Sequence, residues 1–346
     1  MVNDEVMATL DDYARLFDLM DEIKQLAPWT YMLETDTFVM ENPNVPGQML
    51  LVSVMGNRGE YLTIASYVGD TAIARFFRIQ KQQHMEVEDL AYTMQLHATF
   101  EDRNALTDRD RQIIKEVGRK YRGRQSWPQF RSYSPGFEPW YLTRAEAVLL
   151  THVLAQTLNV ARRFQTDPQL LKGLKLNHHL FRIPTVSAEG VVWQDVIRQY
   201  TPVERFSIDV RVSAELMANC ATLPRRPNVV EIHFMLTPIR VGERGARARY
   251  VHLLIMVDAA SGALLNMSPI ESEDSLDDMF GRVAHQMLEA FSVVGWLPSE
   301  VRVPSDFVSA LLTPPFSALG VSVVTTKDVP ALADFIAQLN ALGGLF

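Results

Sequence analysis

Residues 228–269 read NVVEIHFMLTPIRVGERGARARYVHLLIMVDAASGALLNMSP, and this stretch decides the fold of the C-terminal half. It contains three β-rich runs, 228–239, 249–258 and 262–269, rich in Val, Ile, Leu and Met. Gly242-Glu-Arg-Gly245 and Ala259-Ala-Ser-Gly262 separate them, and both are turn sequences. Short connections of this kind join antiparallel neighbours. Downstream, Ser275, Asp277 and Asp278 open a helix that runs to about Val294. A strand at 300–303, a helix at 306–318, a strand at 320–325 and a helix at 330–342 follow. A further strand, 205–212, is expected ahead of the quoted stretch. The pattern is therefore antiparallel hairpins, then alternating helix and strand, an α/β arrangement.

The N-terminal half reads as α+β. Leu10, Ala14, Phe17, Met20, Ile23 and Leu26 recur at helical spacing over 8–26, and Pro28 ends the run. Strands follow at 36–41, 48–55 and 60–68, then a helix from Asp70 to about Ile79. Residues 86–93 read as helical and 94–100 as a strand. Thr107, with Asp108 and Asp110, starts a helix through about Lys120. Thr143 and Glu146 form a capping-box pair that opens a helix to about Phe164. A hairpin is expected near 180–194, with Glu189-Gly190 at its turn. Two domains are expected, 1–200 and 201–346, since 346 residues exceed what one core usually supports.

Composition excludes several classes. Hydrophobic residues make up 47% and charged residues 21%, an ordinary globular balance. Cys220 is the single cysteine, so there is no internal disulfide and no cysteine-rich zinc site; a buried thiol is expected. The start of the chain is acidic and amphipathic, and no run approaches 18 apolar residues. Neither a signal peptide nor a membrane span is expected, and the cytoplasm is the expected compartment. A net charge of −8 argues against a general nucleic-acid coat. The charge is uneven: Arg103–Arg131 holds nine Lys/Arg against three Asp/Glu, and Ser261–Phe346 three against ten.

The basic stretch runs into residues 119–143, RKYRGRQSWPQFRSYSPGFEPWYLT, read as a rigid loop dense in aromatics, arginines and prolines. It supplies the candidate binding residues Arg122, Arg124, Trp127, Arg131 and Tyr133. Arginines would contact phosphates while Trp127 or Tyr133 stacks a base. The competing reading has the aromatics fill the seam between flanking helices, with arginines stacked over them. No catalytic residue and no cofactor is expected, because no phosphate loop, GxGxxG, GxSxG or HExxH is present. A metal site is not expected either. The candidates weighed for one are Glu231, His233 and His252, the two histidines being read as possible cross-strand neighbours. His178 and His179 would point to opposite faces of a strand. Asp12, Asp18, Asp21 and Glu22 read as a solvated helix face, and Ala310–Phe316 as an apolar run open to self-association.

Two resemblances bear on function. The strand and helix order over 228–340, with Gly295–Val303 and Leu319–Val324, resembles the ribonuclease H-like fold of integrases and transposases. That family uses three carboxylates that hold two divalent ions. Here His233 falls on the first position and Pro304 on the second, with Asp306 two residues late. Asp334 is the candidate for the third. The chain as a whole is similar to an uncharacterised bacterial family of unknown function, through the motif Arg122-Gly-Arg124, Trp127-Pro128, Phe130-Arg131-Ser-Tyr133, Pro135-Gly136 and Pro139-Trp140-Tyr141-Leu142-Thr143. This resemblance implies no activity.

The expectation is a non-catalytic binding or scaffold protein using 119–143, its partner a protein or a nucleic acid. One alternative is a metal-dependent nuclease drawing on Asp209, Glu231, Asp258, Asp306 and Asp334; another is a small-ligand sensor with an inter-domain pocket.

Overall fold

The structure is a computed structural model and describes residues 6–82, 89, 91–188, 190–204, 208–273 and 275–341. Two compact units emerge. One holds Val2–Ser134 with Pro139–Arg205; the other holds Phe206–Phe346 with Pro135–Glu138. No helix among the described residues is long and apolar enough to cross a membrane.

The N-terminal unit is an α+β fold. Helix α1 (Leu10–Leu26) begins at a Thr9/Asp12 capping box and ends where Ala27 turns left-handed ahead of Pro28. Strands β1 (Phe38–Glu41), β2 (Met49–Met55) and β3 (Leu62–Val68) lead to α2 (Asp70–Gln82). Half of the helix expected at 86–93 lies outside the described residues. Next come β4 (Gln95–Glu101), α3 (Asp108–Glu116), β5 (Trp127–Tyr133), α4 (Arg144–Thr166), the short α5 (Gln169–Lys172), β6 (His178–Ser187) and β7 (Gly190–Gln199). The strands form one sheet, ordered β5-β4-β3-β2-β1-β6-β7, in which only the β1–β6 pairing is parallel. Leu16, Phe17, Met20 and Ile23 of α1 and Leu150, Val153, Leu154 and Ala161 of α4 share the main core with one sheet face. Ile73 and Phe76 of α2 cover Val39, Leu51 and Phe181 on the other.

Three expectations change here. The 119–143 stretch is not a loop throughout, because 127–133 forms the edge strand β5 paired with β4. Pro128 fits there because an edge strand can spare a backbone donor. Helix α3 stops at Glu116, four residues early, since Gly118 turns left-handed at φ 76. The β6–β7 hairpin is longer than read, though its turn residue Glu189 lies outside the described residues.

The C-terminal unit is α/β. After α6 (Ala214–Ala221) come β8 (Arg225–Val241), β9 (Arg249–Asp258), β10 (Leu264–Glu271), α7 (Leu276–Val294), β11 (Leu297–Val303), α8 (Asp306–Ala318), β12 (Ser322–Thr325) and α9 (Pro330–Ala341). The sheet order is β10-β9-β8-β11-β12. The first three strands are antiparallel, while β11 runs parallel to β8 and β12 parallel to β11. Antiparallel hairpins followed by alternating helix and strand are the arrangement that the integrase resemblance implies. β9 is buried along both faces, as its unbroken apolar run requires. Leu253, Ile255 and Val257 pack under Leu332, Phe335 and Ile336 of α9. On the opposite face, Phe234 meets Phe280 of α7.

The strand expected at 205–212 does not form over the described residues 208–212. Ile208, Val210 and Val212 alternate like a strand, but the segment lies along α7, where the Arg211 N–H donates to the Gly281 carbonyl at 3.0 Å. The run Ala310–Phe316 belongs to α8, and Leu311, Leu312, Pro315 and Phe316 are buried in it. These side chains serve the core, while Ala310 and Pro314 of the same run are exposed.

Candidate functional site

The aromatic-basic stretch is divided among several tasks. On β5, Pro128, Phe130 and Ser132 are buried and the alternate residues half-buried. Phe130 meets Phe17 edge-on at 5.3 Å between ring centroids, and Tyr121 lies 5.9 Å from Phe17 and 6.1 Å from Trp127. These rings meet α1 directly, in a core that α3 and α4 also share. Tyr133 lies against His97, ring centroids 4.4 Å apart.

The arginines separate into two groups. Arg131 is bound by Asp110 through two hydrogen bonds, Nη1 to Oδ1 at 2.9 Å and Nη2 to Oδ2 at 2.6 Å, and its side chain is only 12% exposed. It also stands over the Tyr141 ring at 4.8 Å. Burial raises the Asp110 carboxyl, but the Arg131 hydrogen bonds and charge, with the Thr107 cap, hold it below the usual carboxylate range. Arg119 is paired to Asp18 and, at 3.2 Å, to Asp21. Asp18 and Asp21 are therefore ion-pair partners, not a merely solvated face. Arg122 and Arg124 differ: both are exposed, and neither enters an ion pair among the described residues.

The loop that carries them is pinned at Gln125, whose φ is +45°. Its backbone N–H donates to Asp102 Oδ1 at 2.6 Å, and its carbonyl accepts from Lys24 Nζ at 2.6 Å. Its side-chain amide donates to the carbonyls of Gly59 and Glu60, each at 3.0 Å. The loop is thereby tied to the β2–β3 turn, which carries the exposed Arg58 and Tyr61, the latter 67% exposed. Arg103, also exposed, places its guanidinium 5.9 Å from the Trp127 ring. Arg58, Tyr61 and Arg103 were passed over in the sequence. They are scattered along the chain and meet the 122–126 loop only through the sheet register. Of the five candidate binding residues, Arg122 and Arg124 are exposed with no ion pair among the described residues, Trp127 and Tyr133 are half-buried on β5, and Arg131 is committed to an internal ion pair.

The remainder of the motif follows a different course. Pro135–Glu138 group with the C-terminal unit: the Tyr250 N–H donates to the Gly136 carbonyl and the Glu138 N–H to the Ala248 carbonyl, both at 2.9 Å. Gly136 has φ +86°, and a Cβ there would stand 3.1 Å from Ser272 Cβ. The glycine is fixed by conformation and by close approach.

The metal candidates do not converge. His233 pairs with Ile255 and His252 with Leu236, so the histidines are not opposite each other. The Val241–Arg249 pair centres the hairpin on Gly245, past the midpoint of the two histidines, and the bulge of residues 237–239 on β8, around Pro238, recovers only part of that offset. Glu231 and His233 share the face covered by α9, whereas His252 stacks on Phe234 on the other, centroids 4.8 Å apart and planes within 5°. Burial holds the His252 imidazole down at about 4 and also lowers His233. Among the described residues no group of three or more His, Cys, Asp or Glu could hold a metal ion.

The acids weighed for nuclease chemistry are dispersed likewise. Glu231 is fully buried and accepts the Leu332 N–H at 2.8 Å. Asp258 accepts from Asn228 at 2.6 Å and from Ser261, which lower its carboxyl against the opposing effect of burial. Asp209, Asp306 and Asp334 are exposed.

Comparison with known proteins agrees with a chain of two parts. Residues 13–182 match a domain of unknown function, DUF7309, and residues 216–340 match a second, DUF6930. Two regions of the chain are thus similar to domain families of unknown function, as its motif led us to expect of a family without known activity. No curated protein matches it. Among solved structures it is similar to a chain in the cryo-EM structure of the simian T-cell lymphotropic virus intasome in complex with PP2A regulatory subunit B56 gamma. That similarity has 13% identity over 41% of this chain and 45% of that one, with a TM-score of 0.26, and it carries no argument here.

Proposed function

We propose that this is a non-catalytic binding protein whose contact surface is the tip formed by the 118–126 loop and the β2–β3 turn, and whose partner is single-stranded nucleic acid. The observation that carries the reading is the exposure of Arg122 and Arg124 without ion-pair partners among the described residues, on a loop held in place by Gln125. Arg58 and Arg103 add positive charge, and the exposed Tyr61 ring offers a face on which a base can stack. The net charge of −8 confines such attraction to this patch.

We assign the C-terminal domain, from about residue 201, to a ribonuclease H-like lineage without catalysis. In support, Glu231 is occupied as a helix cap and the other acids do not gather around one point. The cytoplasm is the compartment we propose, since one buried cysteine suits a reducing environment.

Fluorescence anisotropy of labelled single-stranded DNA and RNA tests the reading, with an Arg122→Glu/Arg124→Glu variant beside the parent chain. Binding that the variant loses supports it. Binding that the variant retains places the contact elsewhere, and no binding at low salt removes nucleic acid as the partner.

A further inference from the structure

The N-terminal unit contains a cleft of about 680 Å3 that none of the preceding assignments uses. One wall is a stripe of α2. Ala74, Phe77, Arg78 and Lys81 lie at i, i+3, i+4 and i+7, the spacing that brings residues onto one helix face. The facing wall comes from the segment leading into β6 (Leu176, Asn177, His179) and from Tyr200, Thr201 and Pro202 beyond β7.

The lining is aromatic. Phe77 and His179 have ring centroids 5.3 Å apart, and Tyr200 meets His179 edge-on at 6.4 Å. The Tyr200 hydroxyl donates to Asp70 at 2.6 Å, which leaves its ring as the surface presented to the cleft. Burial, with the neighbouring His178, lowers the His179 imidazole, so it faces the cleft neutral, able to donate or accept one hydrogen bond.

Charge sits at the rim. Arg78 is answered by Asp89 at 2.8 Å and Glu204 at 3.1 Å, and Arg75 holds Glu204 at 2.6 Å. Lys81 is exposed and enters no ion pair among the described residues. Asn177, held at φ +58°, has its carbonyl bound by the Tyr200 N–H at 2.9 Å; its side-chain amide has no partner among the described residues. Leu176, also lining the cleft, is 88% exposed. An aromatic-lined recess with a few polar groups at its edge has the composition of ligand sites, where those polar groups fix orientation.

We propose that this cleft binds a mononucleotide, its base against Phe77, His179 and Tyr200, its phosphate at Lys81, and a base or ribose edge at the Asn177 amide. The three chemical features of the cleft, its aromatic faces, a cation and an amide without partners among the described residues, match a planar base, a phosphate and a hydrogen-bonding edge. The volume lies within the range of small-ligand sites, about 300–1,000 Å3. The site differs from the tip in its residues and does not depend on the nucleic-acid reading.

The test is calorimetric titration of the full chain with the four ribonucleoside 5′-monophosphates, with adenosine and inorganic phosphate as separate arms. The proposal expects at least one monophosphate to bind with Kd below about 1 mM, and more tightly than adenosine or phosphate. Lys81→Ala, a surface change, should weaken it roughly tenfold, and Phe77→Ala should abolish it. The Arg122→Glu/Arg124→Glu variant should bind like the parent. Failure of all four monophosphates, or affinity unchanged in Lys81→Ala, overturns the proposal. So does loss in the tip variant, which would move nucleotide binding to the tip.

Discussion

The Glu231 carboxylate on β8 accepts the backbone N–H of Leu332, 2.8 Å away in the first turn of α9, so a strand side chain caps a helix 101 residues later. A helix start leaves its first N–H groups without intrahelical partners, and a negative charge there also meets the positive end of the helix dipole. Leu332 is itself buried, so water cannot replace the carboxylate. Glu231→Ala should destabilise the C-terminal unit by about 2 kcal/mol, mostly through the orphaned N–H. Glu231→Gln keeps an acceptor and should lose less. Urea unfolding distinguishes the two, and a Glu231→Ala chain as stable as its parent would contradict the capping role.

Arg131 and Asp110 form the second dependency. Asp110→Ala removes both hydrogen bonds to a guanidinium that is 12% exposed, and a buried charge left alone costs about 3–5 kcal/mol. Arg131→Met in the same chain should recover much of that loss, because no charge is then stranded. Arg122→Ala, at an exposed position, should change stability by less than about 0.5 kcal/mol. Chemical unfolding of the four chains checks the set; a mild Asp110→Ala would make Arg131 a surface residue after all.

Acid sensitivity should begin with histidines. Burial holds His97 and His252 at about 4, whereas an unfolded histidine titrates near 6.5. Between those values the unfolded chain binds protons that the folded chain refuses, so stability falls as pH drops from about 6.5 towards 4. For His252 this amounts to about 2 kcal/mol at pH 5. Asp110 acts lower: its depressed carboxyl contributes stability above the ordinary carboxylate value, lost as pH falls through the folded one. Histidine ring NMR signals followed against pH provide the check. A His252 midpoint near 6.5 in the folded chain would contradict it.

Gly281 reverses a familiar rule. Glycine inside a helix normally costs about 1 kcal/mol relative to alanine. At this position in α7 a Cβ would stand 2.5 Å from the Asp209 carbonyl oxygen. Gly281→Ala should therefore destabilise the unit and loosen residues 209–211 from the helix. Hydrogen exchange at the Arg211 amide, which donates to the Gly281 carbonyl, should accelerate. An unchanged amide with a gain in stability would show that the segment does not rest there.

Much of the architecture was legible because it rests on local chemistry. The capping residues Thr107, Thr143, Ser275 and the acids after them mark helix starts in the sequence and in the structure alike. The helix over 306–318 follows from its pattern, as does the succession of antiparallel and alternating elements beyond residue 225. What failed to show depends on distant partners. The edge strand β5 is set by pairing with β4, not by its own composition, and prolines disguised it. The two histidines miss each other because the strands pair around Gly245, a centre that the glycine-rich turn does not fix by its composition. Residues 208–212 alternate like a strand yet find their partner in a helix glycine. At the candidate site, the arginine-aromatic mixture was plain, but which arginines are free was not. Asp110 and Asp18 claim Arg131 and Arg119 from other elements, and only the fold shows Arg122 and Arg124 without such an acid among the described residues.

The salt dependence of single-stranded oligonucleotide binding tests the central claim most directly. Each phosphate contact contributes about 0.7 to the slope of log affinity against log salt. The parent chain should show a negative slope, and the Arg122→Glu/Arg124→Glu variant should bind more weakly with a slope shallower by about 1.4, the value for two lost contacts. Identical slopes and affinities for parent and variant would contradict the account.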